Sequence, residues 1–186
     1  THKIRDIGKK LNLTKKNFES WNSVESEEEY ILGGEVHKLT KAMVMQRVMN
    51  LKNEDTRKMA MDPKGLNYSA KEIDALEGSL RDSENENKFV DEIMKFYQEI
   101  FNEVSPVYRN LYLIDMPKVK NYSPTPRKSN KDGGVNINDV SFLGPNGLAI
   151  PSFAKKRTRT QNPFMDVGII DTLTHYVESA SYFVNY

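Results

Sequence analysis

At 186 residues, with 38% hydrophobic and 28% charged side chains, the chain is long enough for a real core but lean in apolar residues for its length. The absence of cysteine excludes disulfides and thiolate metal centres, and no apolar run approaches the roughly 18 residues of a membrane-spanning helix. The net charge of +1 points to no particular partner.

Ile4, Ile7, Leu11 and Phe18 recur at near-helical spacing among lysines, which predicts a helix over 4–18. No signal-peptide pattern precedes it, and the start at Thr1 is read as a cut end of a longer polypeptide. The acidic stretch 20–29, with Glu25, Glu27, Glu28 and Glu29, is expected to be a solvated loop or exposed helical turn, and Gly33-Gly34 then breaks the chain. Thr40 is a good N-cap for the next helix, Leu39 is placed as its hydrophobic staple, and Met43, Val44, Arg47, Val48 and Leu51 lie along one side. Asn53 caps a short helix reaching Met61, which Asp62-Pro63 stops. The methionines Met43, Met45, Met49 and Met59 suit either ordinary helix packing, the favoured reading, or an adaptable binding surface.

Ser69 and Glu72 have capping-box spacing and open a helix carrying Ile73, Leu76 and Leu80. The strongest helix spans 85–104, its stripe being Phe89, Ile93, Phe96, Tyr97, Ile100 and Val104. Ser105-Pro106 reads as N-cap and first-turn proline of a separate helix through Leu111, with a bend between the two.

From Met116 the character changes. Seven of the eight prolines lie at Pro106 or later, and Asp132-Gly133-Gly134 and Pro145-Asn146-Gly147 are turn signals. Residues 139–143 and 148–153 suit strands of a small hairpin or an extended arm, and Pro124 predicts that 119–124 runs extended. A last helix begins near Asp166, with Ile169, Ile170, Leu173, Tyr176, Val177, Ala180 and Val184 as its stripe, and stops inside that pattern at Tyr186. The expected fold is mainly α: a helical bundle-like body with a proline- and glycine-rich extended arm and room for a short β-hairpin. The expected division is an N-terminal helix and acidic linker (1–35), a helical region (36–115), a basic extended arm (116–165) and a C-terminal helix (166–186).

Charge is unevenly spread. Between Met116 and Met165 nine basic residues face two acidic ones, a net +7, which leaves −6 for the remainder of a chain whose total is +1. Such a segment suits an acidic partner surface or a phosphate backbone. Lys155, Lys156, Arg157 and Arg159 are its densest part, with Phe153 and Tyr122 as aromatic neighbours that suit single-stranded nucleic acid. The favoured reading is pairing with acidic helices of this or a neighbouring chain, because no RNA-binding signature accompanies the patch.

No phosphate-binding loop, dinucleotide fingerprint or nucleophile elbow is present, and neither a cofactor nor a metal is expected. His175 and Glu178 have metal-pair spacing without further ligands, so a surface histidine is the favoured reading. His37 is expected to pack on the start of the Thr40 helix, and Asp91 and Glu92 to face solvent. A non-enzymatic role is therefore expected, the alternatives being a nucleic-acid-binding module using 118–159 or a piece of an enzyme whose site lies in sequence not present here.

Leu39-Thr40-Lys41, Asn53-Glu54-Asp55-Thr56-Arg57, Tyr112-Leu113, Val119-Lys120-Asn121-Tyr122-Ser123-Pro124, Phe153-Ala154-Lys155-Lys156-Arg157-Thr158 and the helix 171–186 occur in that order. The ordered set, over roughly 36–186, resembles a recurring segment of the very large multidomain (polyvalent) proteins of tailed phages and related mobile elements. The resemblance implies a linker or scaffold segment of a virion-associated or ejected internal protein, located in the virion or the host cytoplasm. Its partners would be other virion or same-chain domains, oligomers included, with catalytic modules elsewhere. It carries over no site residues.

Overall fold

The structure, a computed structural model, describes residues 2–81, 83–118, 120–125 and 164–185. Within them the chain forms seven α-helices and one two-stranded antiparallel hairpin, the mainly helical fold with a short hairpin that the sequence predicts. The predicted strands at 139–143 and 148–153 lie outside the described residues, and the hairpin that is described lies at 28–39.

Helices α1 (His2–Lys10) and α2 (Lys15–Asn22) replace the single predicted helix over 4–18. Asn12 adopts the left-handed conformation at φ 55°, the Leu13 amide donates to the Gly8 carbonyl and the Asn12 amide to the Lys9 carbonyl. That is the double hydrogen bond of a Schellman stop, with asparagine standing where glycine is usual. The bend turns Ile7, Leu13 and Trp21 into one core.

The acidic stretch is not simply a solvated loop. After a short 3-10 turn (Val24–Ser26) it runs into β1 (Glu28–Leu32), which pairs with β2 (Glu35–Leu39). Gly33 and Gly34 form the two-residue loop, both at positive φ (63° and 86°) as a type I′ connection requires. A Cβ on Gly33 would sit 2.2 Å from the Leu66 carbonyl oxygen, so no other residue fits there. The Glu72 carboxylate accepts hydrogen bonds from this loop: burial alone would raise its pKa, but the Ser69, Gly34 and Gly33 amides outweigh that and hold it below the usual range. Tyr30, Leu32 and Leu39 face the core, while Ile31 and Val36 pair on the exposed face.

Thr40 caps α3 (Lys41–Leu51) by accepting from the Met43 amide, and Asn53 caps α4 (Glu54–Met61) by accepting from the Thr56 amide. The Ser69–Glu72 capping box is present at α5 (Ala70–Arg81), whose Ile73, Leu76 and Leu80 are fully buried. Met45 and Met49 are buried and Met43 and Met59 partly so, which makes these methionines packing residues.

One helix, α6 (Glu84–Tyr112), takes the place of the two predicted around Ser105-Pro106. Proline in a helix interior removes a hydrogen bond and crowds the carbonyl four residues back. The apolar pattern does not stop there, however: Tyr108 and Tyr112 follow Val104 at four-residue steps and are buried against the same core. Burial of two aromatic rings outweighs the backbone penalty.

The final helix, α7 (Ile169–Asn185), begins three residues later than predicted. Its Ile169, Leu173, Tyr176 and Ala180 are buried, and Val184 is exposed. Among the described residues no helix is long and apolar enough to cross a membrane.

Candidate interaction site

Helix α3 is the hub of the body. Nine of its eleven residues are buried, and three of those nine are polar: Gln46, Arg47 and Asn50. A buried polar side chain without partners loses its hydration for nothing, so each of the three should be bonded. Each of the three has a partner far away in sequence, on one of the two segments that flank 126–163.

The first segment is 120–125. Gln46 Nε2 donates to the Pro124 carbonyl at 2.9 Å and to Asn50 Oδ1 at 3.0 Å, and the buried Ser123 hydroxyl donates to the same Asn50 oxygen at 2.7 Å. One turn on, Asn53 Nδ2 donates to the Lys120 carbonyl at 2.8 Å, while Asn121 Nδ2 donates to the Lys52 carbonyl at 3.0 Å. The segment does not run straight as predicted, because the chain turns at Lys120 and Asn121, and Asn121 is left-handed at φ 52°. Tyr122 fills the space behind the turn, its ring 6.3 Å from Tyr97 and 5.8 Å from Tyr176. Burial raises the hydroxyl pKa of Tyr97 and Tyr176 well above the ordinary value, reinforced by their mutual neighbours. The Tyr97 hydroxyl is buried with no hydrogen-bond partner among the described residues.

The second segment starts at Phe164. Arg47, only 3% exposed, donates to the Tyr68 hydroxyl and to Asp166, and its guanidinium lies 5.2 Å from the centre of the Phe164 ring. Two hydrogen bonds and a ring face replace the water that the guanidinium gives up. Asp166 thus binds an arginine side chain instead of opening α7. His37, in β2, places Nδ1 3.8 Å from the other Asp166 oxygen and so belongs to this cluster.

The remaining candidates are placed as follows. His175 and Glu178 are both exposed on α7, and no group of three or more metal-ligating side chains forms among the described residues. Asp91 is largely exposed and pairs with Lys52, but Glu92 is not simply solvent-facing: only 15% exposed, it accepts from Lys10 and Lys95. Of the residues proposed for partner or nucleic-acid binding, Tyr122 is packed as above. Phe153, Lys155, Lys156, Arg157 and Arg159 lie outside the described residues.

Sequence reasoning missed the Gln46–Asn50–Ser123 network and the Arg47–Asp166 pair. The signal was available. Residues 41–51 are apolar on every side, which marks an encircled helix, and the polar residues of an encircled helix need partners. Comparison with protein-family models, with curated proteins and with solved structures found no match.

Proposed function

We propose that this chain is a non-catalytic structural or interaction module whose helical body anchors a basic segment for use against an acidic partner surface. One observation supports the reading above the others: the residues bounding 126–163 are held by Gln46 and Arg47, consecutive residues of one buried helix. Residues 126–163 carry seven basic and two acidic side chains, a net +5, and the described residues on either side of them, Pro124 and Asp166, meet α3 at consecutive positions. The buried polar groups of α3 are engaged in fixing that place. The resemblance to large phage proteins supports a role beside other virion or same-chain domains, in the virion or the host cytoplasm. Nucleic acid is the second reading, favoured by the aromatic neighbours of the basic cluster, but Tyr122 has its ring packed between Tyr97 and Tyr176 and so is not laid open for base stacking.

The test replaces Lys155, Lys156, Arg157 and Arg159 together by glutamine and measures binding to polyglutamate and to a single-stranded oligonucleotide across a salt series. Polyglutamate should bind the parent protein at low salt and lose most of its affinity in the variant, whose circular dichroism should be unchanged. Tighter binding of the oligonucleotide, with a steep salt slope that the variant flattens, would favour nucleic acid instead. Binding of neither would defeat both readings.

A further inference from the structure

The surface of the body carries a groove between α6 and the residues Lys118, Asn121 and Tyr122, with a volume of about 220 Å³. Its floor is a helical ladder, Met94, Tyr97 and Phe101, at spacings of three and four residues, and Tyr122 closes the far wall. Its rim is cationic: Lys95 on α6 and Lys118 on the facing segment both line it. Lys95 already pairs with Glu92 at 2.7 Å, whereas Lys118 is exposed and makes no ion pair among the described residues. The volume is below the roughly 300–1,000 Å³ of a site for a drug-sized ligand, which fits one large side chain better than a whole cofactor.

We propose that this groove docks an acidic peptide segment of the partner, one apolar or aromatic side chain filling the floor while neighbouring carboxylates meet Lys118 and Lys95. The proposal deepens, and rests on, the interaction-module reading. Charge complementarity selects the occupant. A purely apolar peptide would leave the lysine rim unused, and the small volume suits a single side chain better than a base with its sugar and phosphate. The groove also adjoins the root of the basic segment, because Tyr122 and Lys118 belong to the stretch that Asn53 and Asn121 tie to α3 and α4.

The experiment measures fluorescence anisotropy of a labelled peptide with a central phenylalanine flanked by aspartate and glutamate. The proteins are the parent, Lys118→Glu, Lys118→Arg, Gln98→Trp and the quadruple glutamine variant of 155–159. Gln98 lines the groove and, like Lys118, is exposed, so neither change threatens the fold. Lys118→Glu and Gln98→Trp should each weaken binding about tenfold, and Lys118→Arg should restore it. Replacing the peptide's phenylalanine by alanine should weaken it comparably. Binding lost only in the quadruple variant would overturn the groove assignment and leave the interaction module standing. No peptide binding, indifference to the phenylalanine, or a single-stranded oligonucleotide that binds more tightly and responds to the same groove variants would each overturn it.

Discussion

Helices α3 and α6 touch in the core, yet they are built on opposite plans. Along α6 a single stripe from Phe89 through Ile93, Tyr97 and Val104 to Tyr112 is buried, while charged residues such as Lys88 and Glu103 stay outside. Around α3 there is almost no outside, since only Lys41 and Met43 escape full burial. An amphipathic helix needs only its apolar spacing to find its place. An encircled helix would fit equally well in many rotations, and its polar residues remove that freedom by each demanding a particular partner. In this protein Gln46, Asn50 and Arg47 choose the partners, and thereby decide where 120–125 and 164–168 lie.

The sharpest way to break the contrast is Arg47→Met. It leaves Asp166, about one-third exposed, and the Tyr68 hydroxyl without the arginine, and should destabilise by about 2–3 kcal/mol, read from urea or thermal unfolding. Pairing it with Asp166→Leu should recover most of that loss, because two apolar groups leave no stranded charge. A change on α6 should run the other way. Pro106 is exposed and packs little, so Pro106→Ala should stabilise by about 2 kcal/mol by restoring a helical hydrogen bond. A fall in stability would instead mean that the proline fixes a helix shape the core needs. Asn53→Ala removes the α4 cap and the bond to the Lys120 carbonyl, and should cost about 1–2 kcal/mol. Equal loss from Asn53→Ser would show that the long-range bond, not the cap, dominates.

The smallest effect should come from Tyr97→Phe. Deleting a buried hydroxyl that has no partner among the described residues should change stability by less than about 1 kcal/mol, in the stabilising direction. The same tyrosines set an alkaline limit. Burial raises Tyr97 and Tyr176, and lifts Tyr30 to about 12, above the ordinary 10.0 that applies on unfolding. The folded state then holds these protons more tightly than the unfolded one, so their effect is nil below pH 10 and stability falls as pH rises above it. Melting temperatures that stay level past pH 11 would contradict this.

What the sequence made legible follows the same division. The caps at Thr40, Asn53 and Ser69, the stripes of α5 and α6, and the mainly helical class all rest on contacts within a few residues, and all are found in the structure. The stop at Asn12 and the hairpin at Gly33-Gly34 were local as well. Neither signal stands out: asparagine is a less common left-handed cap than glycine, and the acidic run before the glycine pair hides the alternation around it. Pro106 failed for a different reason: a local breaker was overruled by tertiary burial of Tyr108 and Tyr112. The Arg47–Asp166 and Asn50–Ser123 bonds are long-range, each spanning more than 70 residues, and only the all-round apolarity of α3 hinted at them.

Because Pro124 and Asp166 grip neighbouring residues of α3, these two points of the chain are drawn together like the ends of a purse-string. A flexible insertion between two held points costs little in chain entropy, about 0.6 kcal/mol per doubling of its length. Whole domains could be spliced in after Thr125, or the chain nicked there and its halves left associated, while α3 and the helices around it keep their arrangement.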